Sequence, residues 1–429
     1  MNICLILVMG NTCLCNNVKM GGIVARFRQS GYICVHMANS TIITGAPTAT
    51  IGAREHVAWV DTLRVLACLM VVMAHACDAF VGQFEADRTA FLSGVAIGSL
   101  MRASVPLFVM MSAVVLMPLR EPVSAAGFYR KRIGRLVLPL VFWSLALPVM
   151  MWFYYTSVNP STANALLSAE GYTVSALWTK LTTWMINFNY DTTPLWYLYM
   201  LVGLYLVIPV IDGWLRTASR RDIKLLLVIW VCAMLLPWVR MAAPLLGYVG
   251  NYGHMGIWGE CDWNPYGMFY YMSGFAGYMV LAYYLNRWPL DWSRRKMVGV
   301  LTPMFVAGYA ITFAGFLVIQ IYYPGNYAYL EMIWYFCGLN VWMMTFPIFA
   351  AMQRLGNCSC GLKLNKLAAL TFGIYLCHFP FEYLTYDWLD TPALAPAVRI
   401  IAGGALTFVI ATALTWLMSR WSVTRRLVA

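Results

Sequence analysis

This chain predicts an all-α, polytopic membrane fold of about ten transmembrane helices, and three observations predict it. Of its 429 residues, 61% are hydrophobic and only 11% charged, with a mean hydropathy of +0.68. Apolar stretches of roughly 20 residues, the length of helix that crosses a bilayer, recur along the sequence. Basic residues alternate in abundance between successive connecting segments, which assigns those segments to two sides.

In order, the expected spans cover residues 58–79, 94–117, 133–155, 193–213, 223–243, 265–286, 298–320, 330–352, 367–388 and 396–418. The third opens behind Arg130, Lys131, Arg132 and Arg135, and the fourth closes at Arg216. Arg220, Arg221 and Lys224 flank the fifth, while Arg287 ends the sixth and Arg294, Arg295 and Lys296 precede the seventh. Arg354, Lys363 and Lys366 separate the eighth from the ninth, and Arg420, Arg425 and Arg426 follow the tenth. With Arg120, the five inward segments hold nineteen basic residues, against four outward ones (Arg88, Lys180, Arg240 and Arg399). Such a bias places both termini in the cytoplasm. Acidic residues gather outside, among them Asp78, Glu85, Asp87, Glu260 and Asp262. The net charge of +12 is then mostly a topological signal and calls for no nucleic-acid partner.

Residues 1–54 differ from the membrane domain expected over 55–429. They contain no Asp or Glu but four cysteines, Cys4, Cys13, Cys15 and Cys34. The opening MNICLILVMG lacks the basic flank of a secretory signal. This stretch is expected to be a poorly ordered extension or a misassigned start, with Met20 or Met37 as the initiator. Twelve scattered cysteines give no four-ligand spacing, so no metal site is expected. Cys77 and Cys261 both fall near the outer face and are candidates for a disulfide. Outward stretches near 156–192 and 244–264 are rich in Trp, Tyr, Asn and Gly, which suit a membrane interface or stacking on sugar rings.

The first span, WVDTLRVLACLMVVMAHACDAF, carries Arg64 and His75. Eleven helical steps of about 100° return to nearly the same face, roughly 16.5 Å further along, so the two side chains share a stripe without touching. Asp61 and Asp78 fall near that stripe. Ionisable groups inside a membrane are costly and usually line a functional cavity; a packed arginine and a satisfied histidine are the structural alternative. In FYRKRIGRLVLP, Arg130 and Arg132 are one residue apart and Arg135 lies a turn further on. Guanidinium groups bind phosphates through bidentate hydrogen bonds, and a juxtamembrane basic patch also contacts lipid headgroups. A donor anchored by phosphates at this end would need a long arm to bring its reactive group to His75. A coenzyme A thioester has such an arm. His75 would then act as general base on an acceptor hydroxyl, or form a transient acyl-histidine, while Arg64 orients the donor.

The first span, RASVPLFVMMSAVVL (102–116), FYRKRIGRLVLP (128–139), LWYLYMLVGLYLVIPVI (195–211) and GIYLCHFP (373–380) together resemble the integral-membrane acyltransferase 3 family. The resemblance covers nearly everything after residue 55, in order. Within the family it looks closest to the type that O-acetylates enterobacterial common antigen. It implies a ten-helix bacterial inner-membrane core that moves an acyl group, acetyl in that type, from cytosolic acyl-CoA to a surface glycan or lipid-linked glycan precursor. It carries the catalytic pair onto His75 and Arg64, and the family's R-x-R element onto Arg130 and Arg132. Two positions depart from the family pattern: Ser112–Ala113 stands where Ser-Gly is usual, and Pro194 where a histidine often precedes the LW pair.

Further candidates surround these residues. Arg102 is placed to stabilise an oxyanion, hold an acidic acceptor, or pair structurally with Asp78. His378 either lines the cavity or packs as a hydrogen-bonded core histidine. Trp196, Tyr335 and Tyr375 are core or interfacial aromatics with a further reading as substrate contacts, and His254, Glu260 and Asp262 are candidate acceptor selectors. No bound cofactor is expected; acetyl-CoA or another acyl-CoA is the co-substrate, and membrane lipids and the glycan are the other partners. A polytopic transporter of a glycan or anionic solute, and a non-enzymatic membrane scaffold, are the competing classes.

Overall fold

The computed structural model describes residues 58–428 except 120–123, 163–170, 187–188, 249, 251–255, 262–263 and 357–363, together with short strands within the first 57 residues. Those 57 residues form a unit of their own. In it, β1 (Cys4–Val8) pairs antiparallel with the later β4 (Tyr32–Ala38), which pairs with β5 (Thr41–Thr44); β2 (Val18–Met20) and β3 (Ile23–Ala25) make a separate antiparallel pair.

The second unit is helical. Its first span consists of α1 (Ala58–Ala76) and a single turn, α2 (Asp78–Val81). Asp87 opens α3 (Arg88–Met101) by accepting from the amides of Thr89 and Ala90 at 2.8 and 3.0 Å, an N-cap legible in the sequence. The helix is interrupted at Arg102 before α4 (Ser104–Leu116), because Pro106 has no N–H for the Arg102 carbonyl four residues back. Ser124 caps α5 (Ala125–Phe153), so the whole Arg130–Arg135 cluster is helical. After α6 (Val174–Thr182), a 3₁₀ turn over Tyr190–Leu195 leads into α7 (Trp196–Thr217). Ser219 and Asp222 form a reciprocal capping box at the start of α8 (Arg220–Ala233), which continues into α9 (Leu236–Ala242).

Among the described residues, eight segments are long and apolar enough to cross a membrane: Ala58–Val81, Arg88–Leu116, Ala125–Val158, Tyr190–Thr217, Arg220–Leu246, Arg294–Tyr322, Tyr327–Leu355 and Pro396–Met418. They account for eight of the ten expected spans. The other two are broken. Over 265–286, a 3₁₀ turn (Gly267–Met272) precedes α10 (Ala276–Arg287), because Gly267 and Gly274 adopt φ of +47° and +81°, outside any right-handed helix. Then follow α11 (Arg294–Tyr322), α12 (Tyr327–Trp334) and α13 (Leu339–Leu355). Over 367–388, α14 (Leu364–Ala368), α15 (Thr371–Cys377) and α16 (Phe379–Trp388) replace one continuous helix. Pro380 withholds the amide that the Leu376 carbonyl would receive, and the helix interrupts at His378. The last span is α17 (Pro396–Met418), closed by the turn α18 (Ser422–Arg425).

Helix α1 is central to this bundle, in contact with α3, α4, α13, α14, α15, α16 and α17. Leu63, Ala67, Cys68 and Val72 are fully buried in it. Helix α17 lies close against α1 at Gly404, where a Cβ would stand 2.3 Å from the Met73 sulfur. In lipid such close packing, rather than transfer out of water, holds helices together. Because α1 is surrounded by protein, its polar stripe opens into the bundle.

Candidate functional site

The two ends of the α1 stripe face different cavities. At the first, Arg64 lies beside its helical neighbour Asp61, with Nη1 3.2 Å from Oδ1. It lines a cavity of about 390 Å³ together with Arg132, Arg135, Ser112, Tyr197 and Tyr375. Arginines from α1 and α5 thus converge on one space, walled by α4, α7 and α15. Arg130 does not reach it: its side chain is exposed and outside the lining. The reason is helical geometry. Residues 130 and 132 are about 200° apart around α5, whereas 132 and 135 lie within about 60°.

The second end holds His75. Its Nδ1 is 2.9 Å from Oδ2 of Asp78, and its ring centroid is 5.3 Å from that of His378 and 5.4 Å from that of Phe379. Asp78 also lines a cavity of about 990 Å³ whose walls are mainly aromatic, including Tyr190, Trp196, Trp334, Tyr335 and Phe336. Trp196 stacks on Phe336 at 5.4 Å with an interplanar angle of 15°. Arg102 enters the same cavity from the break between α3 and α4. Its Nε donates to the Trp334 carbonyl at 2.9 Å, and its guanidinium carbon lies 4.2 Å over the Phe336 ring. The expected Arg102–Asp78 ion pair is not formed. Asp78 turns its carboxylate to His75 instead, and among the described residues no carboxylate lies at ion-pair distance from Arg102.

Among the described residues, the basic and the aromatic cavity share no lining residue, although the consecutive residues Trp196 and Tyr197 line one each. The wall between them is a chain of ring contacts. Tyr197 meets Tyr375 at 5.5 Å, Tyr375 meets His378 at 6.0 Å, and His378 meets His75. The Tyr375 hydroxyl is hydrogen-bonded to the Pro194 carbonyl, so Pro194, standing where a histidine was usual, contributes backbone to this wall. His378 is fully buried, its Nδ1 2.7 Å from the Tyr375 carbonyl.

Several groups around the site escaped the sequence. Ser112, Tyr197 and Tyr205 reach the basic cavity, and Gln320 and Glu331 reach the aromatic one. Glu382, buried on α16, shares with His75 and Asp78 a space of about 20 Å³, enough for one water. None of these had a local signal, because each position depends on contacts between distant helices. The segment before α7 is anchored by Asp191, fully buried, which accepts from Lys180 Nζ at 2.6 Å and from the Tyr172 hydroxyl at 2.9 Å. Burial, helped by the Asp191 charge, pushes the Tyr172 phenol up, so it remains a donor.

The remaining expectations resolve plainly. Glu260 is buried and paired with Arg240 at 3.1 Å; His254 and Asp262 lie outside the described residues. Cys77 and Cys261 are both free thiols, so the candidate disulfide is not formed; Cys77 Sγ instead donates to the Met73 carbonyl at 3.1 Å, as helical spacing favours. Arg120, Lys363, Cys13, Cys15, Cys358 and Cys360 also lie outside the described residues. A family model described as an acyltransferase domain matches residues 57–416. No curated protein and no solved structure matches the chain.

Proposed function

The chain belongs to the acyltransferase 3 family, and from that premise we propose that it is a bacterial inner-membrane O-acyltransferase using acetyl-CoA, with a surface glycan or lipid-linked glycan precursor as acceptor. In this reading the basic cavity faces the cytosol and receives the donor, whose phosphates meet Arg132 and Arg135 while Arg64 orients the arm. The aromatic cavity faces outward and receives the sugar, whose C–H faces stack on its rings. An acceptor related to enterobacterial common antigen is the finer expectation.

The observation that carries the proposal is that His75, lining neither cavity itself, is linked through Asp78 to the aromatic one and through His378 and Tyr375 to the basic one. The Asp78 carboxylate only accepts hydrogen bonds, so His75 keeps its proton on Nδ1 and offers Nε2 as the base. The acceptor oxygen, losing its proton to Nε2, attacks the thioester carbonyl. Arg102, with its guanidinium held over two rings, supplies positive charge beside the forming oxyanion.

The test is purified protein in nanodiscs with radiolabelled acetyl-CoA and a lipid-linked glycan extract, beside His75→Ala. Label is expected in glycan only with the intact protein. Transfer by folded His75→Ala would sink the assignment of the base. Glycan or anion flux without thioester consumption would instead support the transporter reading.

A further inference from the structure

Two imidazoles stand side by side in the wall, with ring centroids 5.3 Å apart. Each has its Nδ1 against a group that accepts but does not donate: the Asp78 carboxylate at 2.9 Å for His75, the Tyr375 carbonyl at 2.7 Å for His378. Each neutral ring therefore carries its proton on Nδ1 and a bare lone pair on Nε2. For His378 that lone pair is buried with no hydrogen-bond partner among the described residues, an arrangement that native interiors usually avoid. The two anchors also differ in where they look. Asp78 lines the aromatic cavity and Tyr375 the basic one, and the two rings, which line neither, are linked between those anchors.

We propose that His378 is a second proton carrier of the transfer, passing to the departing thiolate the proton that His75 removes from the acceptor hydroxyl; this rests on the acyl-CoA reading above. The acceptor oxygen forms its bond to the thioester carbonyl carbon as His75 Nε2 takes the hydroxyl proton. The carbon–sulfur bond then breaks, and its electron pair leaves on sulfur. The proton moves from His75 Nε2 to His378 Nε2, directly or across one water, and reaches sulfur once the thioester arm, entering past Tyr375, opens a path to the buried ring. The products are the ester and the free thiol, with no proton left over and no further reactant. The orphaned Nε2 is thereby explained: its partner is the proton in transit.

The experiment measures thiol release and label transfer by wild type, His378→Gln, His378→Phe and His378→Ala in nanodiscs, with radiolabelled acetyl-CoA and a lipid-linked glycan extract, in mixtures of H₂O and D₂O. Glutamine keeps an acceptor near the Nε2 position but cannot carry a proton. In all three variants kcat is expected to fall about 100-fold or more, with the KM for acetyl-CoA within about twofold. Added imidazole should partly restore His378→Ala. The wild-type rate should curve downward with D₂O fraction, as expected for more than one proton in flight, and become linear in His378→Gln. Glutamine or phenylalanine variants with kcat within about threefold of wild type would overturn the proposal, as would a linear wild-type dependence, which needs no variant to fold. Absence of thiol release from folded wild type would overturn the acyl-CoA reading and this proposal with it, whereas a failure of this proposal alone leaves wild-type transfer intact.

Discussion

In the proposed mechanism His75 can serve as the base only because Asp78 occupies its other nitrogen. Replacing Asp78 by Asn offers Nδ1 an amide donor and favours the tautomer with its proton on Nε2, the wrong one for taking a proton. Steady-state thiol release by Asp78→Asn is therefore expected to show kcat down by about 10²–10⁴-fold with little change in KM for acetyl-CoA. The arginines should behave in the opposite sense. Losing a charge-assisted hydrogen bond costs about 1.5–3 kcal/mol, so Arg132→Gln or Arg135→Gln should raise that KM by about 10- to 100-fold. Arg130→Gln should move it less than about threefold, because α5 turns that side chain away from the cavity. Equal effects at all three positions would contradict the cavity as described.

Long helices were legible as elements because apolar composition averaged over a span is a strong signal, and the caps at Asp87, Ser124 and Ser219 are local chemistry. The two broken segments were not read, for the same reason: averaging hides a Pro380 or a pair of left-handed glycines. The candidate site divides likewise. Arg64 and His75 follow from the helical period alone, and Arg135 with Arg132 from the next turn, but the two-residue spacing of Arg130 suggested a partnership that a helix forbids. Tyr197, Ser112 and Glu382 join the site through contacts that no single helix encodes. Helix packing makes its own predictions. A Cβ at Gly277 would lie 2.1 Å from the buried Trp230 ring, so Gly277→Ala should destabilise the α8–α10 pairing by about 1–3 kcal/mol, measured as a lower midpoint of thermal unfolding in detergent. Lys180→Met leaves Asp191 buried without its cation and should cost about 3–5 kcal/mol, read the same way.

In the topology the sequence predicts, charge is sorted by side, and the basic cavity is lined from FYRKRIGRL, one of the segments richest in arginine. Donor binding there should weaken as ionic strength rises and screening shortens; a KM for acetyl-CoA independent of salt would argue against phosphate recognition by these residues. The wall between the cavities has a consequence of an electrical kind. A membrane under potential charges about 2.3 kcal/mol per elementary charge per 100 mV, and a continuous watery passage would short-circuit it. Tyr375 tied to Pro194, with the rings of Tyr197, His378 and His75 around them, stands between two cavities with different linings. On the proposed reading, an enzyme built this way would hand a neutral acyl group from one face of the membrane to the other while remaining, to sodium, potassium and chloride, an insulator.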